Sequence, residues 1–160
     1  MGLPHTFIQG SQDFMKYIHK LESNQSFVYY QKENSKIKMF NEYYLVNDQF
    51  GFSGLNLIHK SYFKKSKNSI SCSIIESSNK IGPFSVIEKN CKIQSNLVIE
   101  DSVIMEGSIL AKGVILKKSI LGNLVVVGEG AEIRNLSVIG EKVIIKPKSI
   151  INNQKITCKM

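Results

Sequence analysis

The sequence has no tryptophan, a single arginine, three prolines, three cysteines and three histidines among 160 residues. Each shortage excludes something. Cys72, Cys91 and Cys158 are odd in number and show no C-x-x-C spacing, which argues against a disulfide framework and against a cysteine zinc site. This cysteine usage points to a reducing cytoplasm. No apolar run approaches the roughly 20 residues of a membrane span. Met1-Gly2-Leu3-Pro4-His5 opens without the charged segment and apolar stretch of a secretory signal. Gly2 with Thr6 fits a myristoylation pattern, but so short a match arises by chance. The chain is therefore expected to be cytoplasmic, without a membrane partner.

The formal charge is +8. Such a chain is able to bind nucleic acid, yet nearly all the positive charge is lysine, and the only aromatic after Phe63 is Phe84. Nucleic-acid readers favour arginine and interleaved aromatics, so this charge reads as a solvated, lysine-rich exterior.

The composition changes near residue 68, which divides the chain into an appendage (1–68), a repeat region (69–155) and a tail (156–160). In the appendage, Ser11 to Ser23 reads as an amphipathic helix. Phe14, Tyr17, Ile18 and Leu21 share one face, Ser11 caps the start, and Asp13 lies in the first turn. Residues 27–31 and 43–46 are β-prone, with the polar run Lys32–Lys38 between them, and Gly51, Ser53 and Gly54 mark a turn. His59 to Lys67 reads as a basic, solvated linker.

The repeat has a period of six. Large aliphatics recur at Ile75, Ile81, Ile87, Ile93, Ile99 and Met105, resume at Leu110 and Leu116, and resume again at Leu121, Val127, Ile133, Ile139, Ile145 and Ile151. Two intervals, 105–110 and 116–121, are five residues; they predict a tightened corner or a place where a neighbour docks. One residue after the aliphatic, Gly82, Gly122, Gly128 and Gly140 alternate with Glu76, Glu88, Glu100 and Glu106. Four residues after it stand Ser85, Cys91, Leu97, Val103, Ile109, Val114, Ile120, Val125, Ala131, Ser137, Val143 and Ser149. A rung of this kind is a short strand plus a turn. Its first and fifth residues face inward, and glycine at the second relaxes the corner. Three rungs close one triangular coil. The expected fold is mainly β: a left-handed parallel β-helix of about four to five coils, preceded by the helix-containing appendage.

Ser119-Ile-Leu-Gly122, Asn135-Leu-Ser-Val-Ile-Gly-Glu-Lys-Val-Ile-Ile145 and Lys146-Pro-Lys-Ser-Ile150 resemble the C-terminal β-helix of sugar-phosphate nucleotidyltransferases. The similarity is greatest to the mannose-1-phosphate guanylyltransferases, whose corresponding ending is Pro-His-Lys-Ser-Ile, and it covers residues 69–152. In that family the catalytic domain closes on Trp-x-Asp-Val-Gly-Thr-Pro-x-Asp-Tyr. Phe7-Ile-Gln-Gly-Ser-Gln-Asp-Phe14 occupies that place here and lacks the Trp, the metal-binding Asp and the Pro. The family's glycine-rich nucleotide loop and sugar-phosphate lysine motif are also absent, so none of its catalytic residues carries over. The resemblance implies a C-terminal module standing without its catalytic domain. Its expected role is assembly or regulation in nucleotide-sugar metabolism, through homo-oligomers or a separate nucleotidyltransferase subunit.

The alternative is a hexapeptide-repeat acyltransferase using acetyl-CoA. Such enzymes place a histidine on or beside a coil as general base, and β-helical carbonic anhydrases need three imidazoles for a metal. No histidine follows His59, which sets aside the metal enzyme. His59 is the single weak catalytic candidate; His5 reads as a chain end and His19 as the polar side of the helix. No cofactor is expected otherwise.

Overall fold

The computed structural model describes residues 28–32, 35–67, 69–74 and 78–158. The expected helix Ser11–Ser23, His5, His19 and the first rung at Ile75 lie outside these residues. The described residues start with an antiparallel meander of β1 (Val28–Lys32), β2 (Ser35–Phe40), β3 (Tyr43–Asn47) and β4 (Leu55–His59). The polar run after Lys32 is thus largely a strand, because pairing on both sides outweighs its weak propensity. A single 3-10 turn, Lys60–Tyr62, and an antiparallel hairpin of β5 (Phe63–Lys65) and β6 (Ile70–Cys72) follow, where a basic linker was expected.

From there the chain winds into a parallel β-solenoid of about five coils. Its strands are β7 (Lys80–Ile81), β8 (Val86–Ile87), β9 (Lys92–Ile93), β10 (Val98–Glu100), β11 (Val103–Ile104), β12 (Ile109–Leu110), β13 (Ile115–Lys117), β14 (Ile120–Leu121), β15 (Val126–Val127), β16 (Glu132–Arg134), β17 (Val138–Ile139), β18 (Ile144–Ile145), β19 (Ile150–Asn152) and β20 (Lys155–Ile156). They form three faces. Face I stacks β7, β10, β13, β16 and β19; face II stacks β8, β11, β14, β17 and β20; face III stacks β9, β12, β15 and β18. β4 pairs in parallel with β8, so the meander extends face II into one nine-stranded sheet.

Register corrects the phase of the repeat. Ile87 pairs with Ile104, and Ile104 with Leu121. Ile104 is fully buried, whereas Met105 is 37% exposed. The short interval therefore runs from Ile99 to Ile104, not from Met105 to Leu110. Together with Leu116 to Leu121 and Ile151 to Ile156, it falls at the same corner, between faces I and II. The inward residue moves too, in the shortened rungs from Ile99 and Leu116 and, with the corrected phase, in the six-residue rung from Ile104. Ser102, Ser108 and Ser119 are buried, while Val103, Ile109 and Ile120, expected inside, sit partly exposed on the outer faces.

The three corners are unlike one another inside. Between faces I and II the buried residues are Ser85, Ser102, Ser119 and Ser137. Ser102 Oγ donates to the Glu100 carbonyl (2.8 Å) and accepts from the Ser119 N–H (3.2 Å); Ser137 repeats the pattern with Arg134 and Gln154. Between faces III and I they are Asn79, Leu97, Val114 and Ala131. Of the second-position glycines, Gly82 has the expected positive φ, 110°, whereas Gly122, Gly128 and Gly140 do not. The left-handed backbone sits further along each corner, at Asn90, Gly107, Leu124 and Lys142, with φ of 61°, 76°, 58° and 62°. Gly128 is needed for close approach instead: a Cβ there would lie 2.4 Å from Pro147 N of the next coil.

Candidate functional site

His59, the catalytic candidate of the sequence, stands where β4 meets the first coil. The side chain is buried. Its Nδ1 accepts from the Ser61 N–H at 3.1 Å, which caps the 3-10 turn. With that lone pair taken, a neutral ring carries its hydrogen on Nε2. Nε2 is buried, lacks a hydrogen-bond partner and lies 3.9 Å from a Glu42 carboxylate oxygen. The ring packs edge-on against Tyr43, centroids 5.5 Å apart. A general base needs an acceptor nitrogen within hydrogen-bond reach of its substrate. Here the acceptor nitrogen is engaged and the ring enclosed, an arrangement suited to capping and packing.

Around it lies a polar seam that joins the meander to the solenoid. Tyr43 Oη donates to Glu88 Oε2 at 2.5 Å. Tyr62 Oη donates to the Glu88 carbonyl at 2.5 Å and accepts from the Cys91 N–H at 2.8 Å. Asn56, fully buried, serves the same junction. Its Oδ1 accepts from the Ser85 N–H (2.9 Å), and its Nδ2 donates to the carbonyls of Ser53 (2.9 Å) and Gly54 (3.1 Å). Asn79 does likewise one corner away, between the Gln94 carbonyl and the Leu97 N–H. Glu88 and Cys91 fall on the six-residue repeat, whereas Tyr43, Tyr62, Asn56 and Asn79 lie outside any site the sequence pattern marks. The available signal was a polar residue inside the apolar run Leu55–Ile58, and, for Asn79, its place four residues after Ile75.

Burial pushes the Cys91 thiol above its ordinary pKa, so it stays protonated, a packed group donating from Sγ toward the Met105 carbonyl at 3.2 Å. Cys72 is half-buried and Cys158 exposed. Among the described residues, no three His, Cys, Asp or Glu side chains gather as metal ligands, and no helix is long and apolar enough to cross a membrane. Lys60, Lys64, Lys65 and Lys67 are exposed along the turn and the β5–β6 hairpin. A shallow groove of about 290 Å³ follows the corner between faces II and III, lined by Asn90, Glu106, Gly107, Asn123, Leu124 and Glu141. Its Glu106 carboxylate already faces Lys89 (3.9 Å) and Asn90 (3.4 Å).

Burial first, then Glu88, hold the Tyr43 phenol above its ordinary pKa; burial does the same at Tyr62. An acid whose pKa is raised by folding stabilises the fold below its unfolded pKa of about 10 and ceases to do so as pH rises beyond it. The expected result is little change in stability from these two groups up to about pH 10, then alkaline unfolding. Tyrosinate absorbance and far-UV circular dichroism, recorded together, check this. Ionisation of all tyrosines well before the loss of β-structure would contradict it.

Comparison with protein families gives a match over residues 68–159, more than half of the chain, to the family described as the GMPPB C-terminal domain. Comparison with curated proteins gives no significant match, and comparison with solved structures gives none either.

Proposed function

We propose, starting from the fact that this chain belongs to the GMPPB C-terminal domain family and carries a C-terminal module of the sugar-nucleotide pyrophosphorylase kind, that it works by assembly. In this reading it associates with copies of itself and holds or restrains a separate nucleotidyltransferase subunit. The supporting observation is the contrast between the two kinds of surface. The polar groups near His59 are consumed in joining the meander to the coils, whereas the solenoid offers broad faces of short strands with outward aliphatic side chains. Such faces are suited to a macromolecular partner.

A tagged full-length chain recovered from its native host tests the reading. The expected result is co-recovery of a nucleotidyltransferase that rebinds when both purified proteins are mixed, together with self-association of the tagged chain. Recovery of the bare monomer, with no rebinding of any nucleotidyltransferase, overturns it. Recovery of self-oligomers alone removes the catalytic partner from the proposal.

A further inference from the structure

The three faces differ in what they turn outward. On face I the outward residue before each inward aliphatic runs Lys80, Val98, Ile115, Glu132, Ile150, interrupted twice by charge; on face III it runs Lys92, Ile109, Val126, Ile144. On face II it runs Leu57, Val86, Val103, Ile120, Val138, five uncharged rows before Lys155. The companion outward column on face II, one residue after the aliphatic, starts at buried His59 and continues with Glu88, Met105, Gly122 and Gly140. Met105 is among the few large apolar side chains that stand exposed.

These rows are arranged so that face II complements itself. We propose that face II is an isologous interface between two copies of this chain, related by a two-fold axis that runs along the strands and passes between β11 and β14. Such an axis sets the solenoids antiparallel. It exchanges β11 with the partner's β14, and β8 with the partner's β17. Val103 then faces Ile120, and Val86 faces Val138. Met105, with its long side chain, comes over Gly122, which has none. At the corner with face I, Asp101 meets Lys118, and Phe84 meets Leu136. At the corner with face III, exposed Lys89 meets exposed Glu141. Each of these pairs occurs twice in the dimer. An axis shifted by half a coil, through β11 itself, would instead oppose Asp101 to Asp101 and Met105 to Met105. The charge pattern thus favours the axis between β11 and β14 over the one through β11.

This inference rests on the assembly reading and names its surface. The patch is modest: the four self-complementary rows from β8 to β17, at about 4.8 Å spacing, give a height of about 15 Å, and the next row sets Leu57 against the partner's Lys155. A reversible, concentration-dependent dimer is therefore expected. The test is sedimentation equilibrium of the full chain across a concentration series, with four proteins compared: the native chain, Lys118→Asp, Asp101→Lys, and the double exchange. Both positions already hold a left-handed backbone, at φ of 50° for Asp101 and 47° for Lys118, so the exchange asks no new conformation of the chain; circular dichroism verifies that each variant folds. Each single variant sets like charges together twice per dimer and is expected to weaken dimerisation by more than about tenfold. The double exchange restores it. Dimers indifferent to all three variants would overturn this face while leaving assembly standing. A native chain that stays monomeric at every concentration also overturns it, and the host co-recovery experiment then decides the assembly reading separately.

Discussion

Ile104→Ala is expected to cost about 2–5 kcal/mol of folding stability, while Met105→Ala, one residue on, costs less than about 1 kcal/mol. Urea unfolding followed by circular dichroism separates the two. The difference comes from what each side chain touches. Ile104 is fully enclosed in the inner stack between Ile87 and Leu121. Truncation there opens a cavity in a column that cannot close around it, because the hydrogen bonds of the adjacent coils hold the strand spacing fixed. Met105 lies outside, and its backbone carbonyl, which accepts from Cys91, survives any substitution. Aspartate sharpens the contrast: Ile104→Asp is expected to prevent folding, and Met105→Asp to leave a folded solenoid. Equal losses for the two alanine variants would restore the phase in which Met105 points inward.

Asn56→Leu is the second change with a large expected effect, roughly 3–5 kcal/mol. Leucine matches the volume of asparagine but leaves the Ser85 N–H and the Ser53 and Gly54 carbonyls without their side-chain partner. Unsatisfied buried groups cost about 1–3 kcal/mol each. The site also sits at a seam, so the loss is expected to be uneven. The meander β1–β4 meets the solenoid through the β4–β8 pairing and the contacts around Asn56, Tyr62 and Glu88. Amide hydrogen exchange should show β3 and β4 opening far more readily in the variant, with the strands from β12 onward nearly unchanged. A melt as cooperative and as high as that of the native chain would show that the seam does not depend on Asn56.

Much of the solenoid was legible in the sequence because its period is enforced by stacking. A residue such as Ile133 recurs in phase with Leu116 and Ile151 since each must cover the next. The phase near residue 104 was not legible. Ile104 and Met105 are adjacent and both apolar, and a coil here has either seventeen or eighteen residues, as Ile87–Ile104 and Ile81–Ile99 show. Only the neighbouring coils choose between them. The β2 strand was hidden for a related reason: its pairing with β1 and β3 outweighs a polar local sequence. At the candidate site, sequence singled out His59 by elimination, as the last histidine of the chain. Its engaged Nδ1 and enclosed ring depend on Ser61, Glu42 and Tyr43 arriving together. Asn56 and Tyr62 act on partners 29 residues away, a distance that composition and period do not reach.

A chain built from near-identical rungs risks threading itself one rung out of step, since aliphatic would still cover aliphatic. The serine corner removes that freedom. Slipping the chain by one rung would carry Ser102, Ser119 and Ser137 toward the column of Leu97, Val114 and Ala131. There the links from Ser102 to the Ser119 N–H and from Ser137 to the Gln154 N–H have no counterpart. Each mis-threaded coil would bury hydroxyls and amides unpaired, so the error grows with every turn wound. The hydroxyl column acts as a key that makes one winding of a repetitive chain distinguishable from its neighbours while it folds.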